Sequence, residues 1–218
     1  MRQIIALGGG GFSMEPDNPT LDDYIVNQAG TANPKICFVP TAGGDQDHYI
    51  KRFYDAFKHK PCTPTHLSLF DANFKDLEAF VFEQDIMYVG GGSTRNMLIL
   101  WREWGLDEIL IKAYQKEILL AGISAGAICW FEQGLTDPLN GPLYKIDGLG
   151  LLKGSACPHY DGEEKRRPFY EALVKEGGIM EGYGINDGTA LHFINESLHR
   201  SVQSTKGKGQ GYEVVKKK

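Results

Sequence analysis

Cysteine is scarce in this chain of 218 residues: there are 4, and no two stand in a Cys-x-x-Cys or other zinc-ligand spacing. That excludes a disulfide framework as the source of stability and makes a reducing compartment, the cytoplasm, the expected setting. Cys37 and Cys129 lie inside apolar runs and read as small buried hydrophobes. Long apolar runs are missing too. None approaches a membrane span, and the run behind Met1 is too short for a secretory leader. Positive charge is not in excess: 23 Lys and Arg stand against 28 Asp and Glu, a formal net charge of -5. Neither nucleic acid nor a membrane surface is therefore an expected partner, although a local basic pocket stays open. No internal repeat, low-complexity tract or interdomain linker breaks the chain, so one α/β domain over residues 1–218 is expected.

Glycine is abundant, with 27 residues, and it gathers where short apolar runs end. Residues 3–7, 35–40, 64–69 and 85–89 read as strands, and residues 20–28, 47–58, 76–83, 96–101 and 105–116 as helices. Short apolar strands alternating with amphipathic helices predict a doubly wound, mostly parallel sheet. Ligands in such sheets bind in the crevice outside the strands' carboxyl ends. The glycine loops at 8–11, 43–44, 90–92 and 122–126 are thus expected along one edge. The first has no Gly-Lys-Ser/Thr, and Ser13 stands where Gly-x-Gly-x-x-Gly needs its last glycine, so it reads as a packing loop rather than a phosphate loop. Residues 133–153, rich in Gly, Pro, Asn and Asp, are expected to form a loop with short strand pieces that acts as a lid. A strand over 154–159 ends at His159. A helix covers 163–176, and a turn at 184–188 leads into a strand. Residues 198–203 and 212–215 read as a terminal hairpin around a Lys/Gly turn.

The fifth strand carries the chemistry. Ile118-Leu119-Leu120-Ala121 runs into Gly122-Ile123-Ser124-Ala125-Gly126, the pattern of a nucleophile elbow. There a serine sits on a tight strand-to-helix turn, and small neighbours let the backbone double back. The helix expected after it would aim free N–H groups at a developing oxyanion. The alternative is a glycine-rich turn in which Ser124 only caps a helix.

A serine hydroxyl needs a base to take its proton, and histidine has the suitable pKa. Of the six candidates, His59, His66 and His199 fall at connections or in the terminal region. His48 opens a helix after the second glycine loop, and His192 alternates with Leu191 and Phe193 on a strand. His159 ends a strand and enters the polar loop Tyr160-Asp161-Gly162-Glu163, which gives rigid backing and an exposed ring. The third member must hold the other ring nitrogen. Asp187, between Asn186 and Gly188 in a tight turn, is the main candidate; Asp137, Glu132 and Asp161 are rivals. The order Ser…His…Asp differs from that of the α/β-hydrolases and points to another elbow-bearing fold.

Taken together, Gly90-Gly91-Gly92-Ser93-Thr94, Gly122-Ile123-Ser124-Ala125-Gly126-Ala127, Pro158-His159 and Gly184-Ile185-Asn186-Asp187-Gly188 resemble the dipeptidase E (aspartyl dipeptidase) family of serine peptidases, of which cyanophycinase is a larger relative. The resemblance implies a flavodoxin-like sheet similar to that of class I glutamine amidotransferases, with serine at the elbow. It implies Ser124 as nucleophile, His159 as base and Asp187 as acid, with Asp137 as the alternative acid. It implies an oxyanion hole from the N–H groups of Gly91 or Gly92 and Ala125, and Arg166, with Arg167 beside it, as a clamp for the carboxylate of an N-terminal aspartate. The expected activity is hydrolysis of short peptides, dipeptides above all, in a monomer or homodimer without metal or organic cofactor. A cyanophycinase-like isopeptidase or esterase, and a ligand-binding homologue without turnover, are the alternatives.

Overall fold

Strand β1 (Gln3–Leu7) is covered on both sides. Ile4 and Ala6 face one apolar layer, Ile5 and Leu7 the other, as a continuous apolar run in a buried strand requires. The computed structural model describes residues 1–71, 75–137, 141–205 and 210–217. After β1 come α1 (Gly11–Met14), α2 (Thr20–Asn27), β2 (Lys35–Val39), a 3-10 turn (Thr41–Gly43), α3 (Asp47–Phe57), β3 (Thr63–His66), α4 (Leu77–Phe82), β4 (Ile86–Val89), α5 (Thr94–Trp104), α6 (Leu106–Gln115) and β5 (Leu119–Ile123). The second half holds α7 (Ala125–Ile128), β6 (Phe131–Thr136), β7 (Tyr144–Asp147), β8 (Leu152–Cys157), α8 (Arg166–Glu176), β9 (Gly182–Ile185), β10 (Thr189–Ile194), β11 (Ser197–Gln203) and β12 (Tyr212–Val215).

The first sheet has the order β11-β10-β1-β5-β4-β2-β3, with β3, β2, β4, β5 and β1 parallel and β10 and β11 antiparallel. This is the mostly parallel α/β sheet expected from the sequence. Local signals set the helices. Ser93 accepts from the Asn96 N–H at 3.3 Å and starts α5, and Gly105, in the left-handed region at φ 68°, separates α5 from α6. In α3, Tyr49, Phe53 and Phe57 recur every four residues and pack inward. Phe53 stacks on Phe38 with ring centroids 4.9 Å apart, and Phe12 meets Phe38 edge-on at 5.3 Å. Burying each such ring contributes about 2–3 kcal/mol. That packing turns the other side of α3, with His48 and Arg52, toward the carboxyl edge of the sheet.

The second half departs from the expectation. Residues 133–153 do not form a lid. Within them β6 and β7 pair antiparallel, and β6 also pairs with β8 in a second sheet of order β12-β9-β8-β6-β7; residues 138–140 of that stretch lie outside the described residues. Their backbone groups are taken up by the ladder, not left to cover a cleft. The terminal hairpin is not formed either. β11 pairs with β10 in the first sheet and β12 with β9 in the second, while the Lys/Gly turn at 206–209 lies outside the described residues. The hairpin that does form joins β10 to β11 through Asn195 and Glu196, at φ 46° and 64°, the positive values of a tight two-residue turn. Phe131 and Tyr183 of the second sheet meet Phe193 of the first at centroid distances of 5.7 and 5.5 Å. Among the described residues no helix is long and apolar enough to cross a membrane.

Candidate active site

Ser124 stands between β5 and α7 at φ 55°, ψ -110°, a backbone that L-residues rarely adopt. Its N–H donates to the Leu7 carbonyl at 3.0 Å, which ties the turn to β1. The small neighbours are sterically required. A Cβ at Gly122 would lie 2.1 Å from the Gly126 carbonyl oxygen, and one at Gly126 2.3 Å from that of Val89. The helix after the elbow is only one turn, because β6 begins at Phe131, so it contributes little of the expected helix dipole.

His159 lies in the turn after β8, also at positive φ (52°), with its N–H donating to Gly8 O at 3.1 Å. Its Nε2 is 2.9 Å from Ser124 Oγ and its Nδ1 2.6 Å from Asp187 Oδ1. An ionised carboxylate only accepts, so the ring proton sits on Nδ1 and Nε2 is left to accept from the serine hydroxyl. The side chains of His159 and Asp187 are 15% and 32% exposed, so the ring is largely covered yet reachable. Asp187 is held from behind by its own N–H, which donates to Asp161 Oδ1 at 2.9 Å. The glycine loop after β1 is the packing loop expected: Gly8 presses on the Ile185 and Asn186 carbonyls and Gly9 on the Asp187 carboxylate.

The loop after β4 closes the other side. The Gly91 N–H donates to the Tyr49 hydroxyl at 3.0 Å. It is therefore engaged already, which removes it as a ready oxyanion donor. Gly92, at φ 137° and pressed on the Ala42 carbonyl, and Ala125 have N–H groups with no protein acceptor among the described residues. Burial pushes the Tyr49 phenol pKa up, so it stays a neutral hydroxyl.

Residues 4–201 match the family model described as peptidase family S51. The chain belongs to peptidase family S51. It is 56% identical over 215 residues to YgaJ of Bacillus subtilis (strain 168), named an uncharacterized peptidase, and covers 99% of this chain and 93% of that one. Two crystal structures share the fold. One is a peptidase from an acI-B1 Actinobacterium, with a TM-score of 0.70 at 16% identity over 99% of this chain and 91% of that one. The other is a candidate peptidase E protein of Listeria monocytogenes EGD-e, with a TM-score of 0.66 at 18% identity over 93% and 98%. The S51 match agrees with the dipeptidase E resemblance, and the chain is a peptidase of the peptidase E type with the expected flavodoxin-like fold.

Other candidates in this S51 chain fall elsewhere. Glu132 Oε2 accepts from the Gly154 N–H at 2.7 Å, and Asp137 Oδ1 from Arg166 Nη2 at 2.9 Å. Neither is brought to His159. Arg166, expected as a substrate clamp, is buried at 4% side-chain exposure. Its Nε donates to Glu163 Oε2 at 2.6 Å and its Nη1 to the Leu135 carbonyl at 3.2 Å. Both edges of its guanidinium are occupied, so it fastens the loop after His159 to β6 and presents nothing to a ligand. Arg167 pairs with Glu171 and Glu213 on the outer face of α8. Burial raises the thiol pKa of Cys129, and that of Cys157 to about 12, so neither rivals the serine. Among the described residues no three His, Cys, Asp or Glu side chains are grouped to hold a metal.

The hydroxyl of Ser124 opens into a cleft of roughly 330 Å³, small among ligand pockets. Its lining joins the glycine loops and His159 to Ser13 and Met14 of α1 and to His48, Tyr49 and Arg52 of α3. The glycine loops thus do share one edge of the sheet. Of this lining the sequence pointed to His48, as a candidate base, but not to Ser13, Met14, Tyr49 or Arg52. Residues 49, 53 and 57 marked the buried face of α3, and the position of α3 directly after the second glycine loop was the signal that its other face borders the site.

Proposed function

We propose that this protein is a serine exopeptidase that hydrolyses short peptides, dipeptides above all, through an acyl-enzyme on Ser124. The observation that carries the reading is the continuous contact from Ser124 Oγ to His159 Nε2 at 2.9 Å and from His159 Nδ1 to Asp187 Oδ1 at 2.6 Å. In this reading His159 takes the hydroxyl proton as Ser124 attacks the scissile carbonyl, then delivers it to the leaving amine. The Asp187 carboxylate keeps the ring proton on Nδ1 and stabilises the imidazolium that forms. The N–H groups of Gly92 and Ala125 receive the negative charge on the carbonyl oxygen. Water then enters and the same base activates it, releasing the acid and restoring the serine. The small cleft favours short substrates.

The test is hydrolysis of a dipeptide library by the purified chain and by its Ser124→Ala variant. Turnover by the wild type, with a loss of about a thousandfold or more in the variant, is the expected result. Undiminished turnover in Ser124→Ala sinks the mechanism.

A further inference from the structure

We propose that Arg52 on α3 selects the substrate by holding one of its carboxylates in the cleft beside Ser124. The inference rests on the peptidase reading of that cleft and adds to it the residue that decides which peptides are taken. Arg52 lines the same cleft as Ser124 and His159. Its Nη1 donates to the Ser13 carbonyl at 2.7 Å, which steadies the guanidinium while using one of its five N–H donors. Arg52 has no ion pair among the described residues. The acid closest to it on α3, Asp55, is held by Lys51 at 2.5 Å and Lys58 at 2.9 Å, and these two ammonium groups keep its carboxyl down at about 2.

The lining of the cleft at Ser124 contains no Asp or Glu; on its other side Arg52 borders a second cleft with Lys51 and Asp55, the carboxylate already held by the two lysines. Besides Ser124 and His159, the polar side chains lining the cleft at Ser124 with Arg52 are Ser13, Gln46, His48 and Tyr49, and His48 lies one helical turn before Arg52 on the same face. The Asp187 carboxylate is on the far side of the His159 ring and is engaged there. A chain with a formal net charge of -5 thus places an unpaired guanidinium at its candidate active site. A planar fork with free N–H donors binds carboxylate bidentately. Arg166, whose two edges are filled by Glu163 and Asp137, has no such capacity. A peptide can offer this carboxylate from an acidic side chain or from its carboxyl terminus.

Hydrolysis of Asp-Leu, Asn-Leu, Leu-Leu and the amides of Asp-Leu and Leu-Leu is to be compared in the wild type, Arg52→Gln and Arg52→Lys. Arg52→Gln is expected to lower kcat/KM by roughly 10- to 100-fold, mostly through KM, on peptides that carry the recognised carboxylate, and under about threefold on matched peptides without it. Arg52→Lys should fall between. A loss that follows Asp against Asn identifies the side chain as the source; one that follows free acid against amide identifies the terminus. An equal loss on every substrate, or none while the wild type turns over, overturns the proposal. Calorimetric titration of Ser124→Ala protein, with and without Arg52→Gln, separates the two readings. Arg52-dependent binding of these peptides, with no hydrolysis by the wild type, keeps the carboxylate anchor and removes the peptidase mechanism. Binding that does not depend on Arg52 overturns the anchor.

Discussion

A methyl group added at Gly9 would lie 1.9 Å from Oδ1 of Asp187, the same oxygen that sits 2.6 Å from the His159 ring. A Cβ at Gly162 would lie equally close, 1.9 Å, to the other oxygen. The carboxylate is boxed between two backbones, and its aim depends on two residues having no side chain. Gly9→Ala is therefore expected to cut kcat about tenfold or more, with a smaller effect on KM, since the added methyl displaces the Asp187 carboxylate and only grazes the Met14 sulfur, 3.0 Å away at the cleft. Asp187→Asn should cost about a thousandfold or more by favouring the wrong ring tautomer. Steady-state kinetics on one good dipeptide measures both; full activity in Gly9→Ala would show that Asp187 does not govern turnover.

Arg166→Ala is expected to act on stability rather than on specificity. It leaves the Leu135 carbonyl, Asp137 and Glu163 without their donor, a loss of about 2 kcal/mol. For a chain of this size that lowers Tm by about 4–8 °C. Preference between acidic and neutral peptides should stay as in the wild type. A changed preference with unchanged Tm would restore Arg166 as a ligand-facing residue.

Tyr49→Phe removes the acceptor of the Gly91 N–H and the 3.0 Å contact with Ser13 Oγ. The β4 loop loses its tether beside Ser124, so kcat/KM should fall about tenfold, with a Tm loss of about 2–4 °C from the unpaired N–H. Equal kinetics in the two proteins would mean that the loop holds its position without the hydroxyl.

Asp22 provides a pH signature of the fold. It is buried beneath α1, where Tyr88 donates to it at 3.3 Å, and burial raises its pKa from 3.8 to about 7. Between these values the folded chain keeps a proton that the unfolded chain has released. Stability from this group is complete below about pH 4 and is lost as pH rises through about 7. From pH 5 to pH 8 the wild type should lose about 2–3 kcal/mol relative to Asp22→Asn, which cannot titrate. Urea unfolding of both proteins at the two pH values reads the difference; parallel curves would mean that Asp22 is ionised throughout.

Ser124 and His159 were legible because each ends a strand-like run and enters a turn, and Asp187 because it stands in a tight turn between Asn186 and Gly188. The parallel strands were legible because Ile36 to Val39 and Ile86 to Val89 are unbroken apolar runs, buried on both faces. The second sheet was not. β7 alternates between half-buried and exposed positions, and the turn read at 184–188 took in the end of β9, whose Gly182 and Gly184 let Ser155 and Tyr160 pack against its backbone. Arg166 misled because, although Glu163 stands only three residues before it, Asp137 and the Leu135 carbonyl come from a distant segment, and no local pattern shows that they converge on it. The engagement of the Gly91 N–H was equally hidden, since it depends on a hydroxyl reaching across from α3.

Ser124 leaves the first sheet, His159 leaves the second, and Asp187 sits in the passage from β9 of the second to β10 of the first. β10 returns to pair with β1, with His192 opposite Ile5, at the far end of the chain in sequence. During synthesis from the amino end, the serine is therefore made well before the pair that would activate it can be put in place. Under the proposed mechanism, any nascent or truncated chain that stops short of β10 carries a bare hydroxyl and no working relay. Long-range strand pairing is also the slow part of folding. Under the proposed mechanism, competence to cut peptides arrives with the pairing of β10 to β1, and its appearance during refolding times that event.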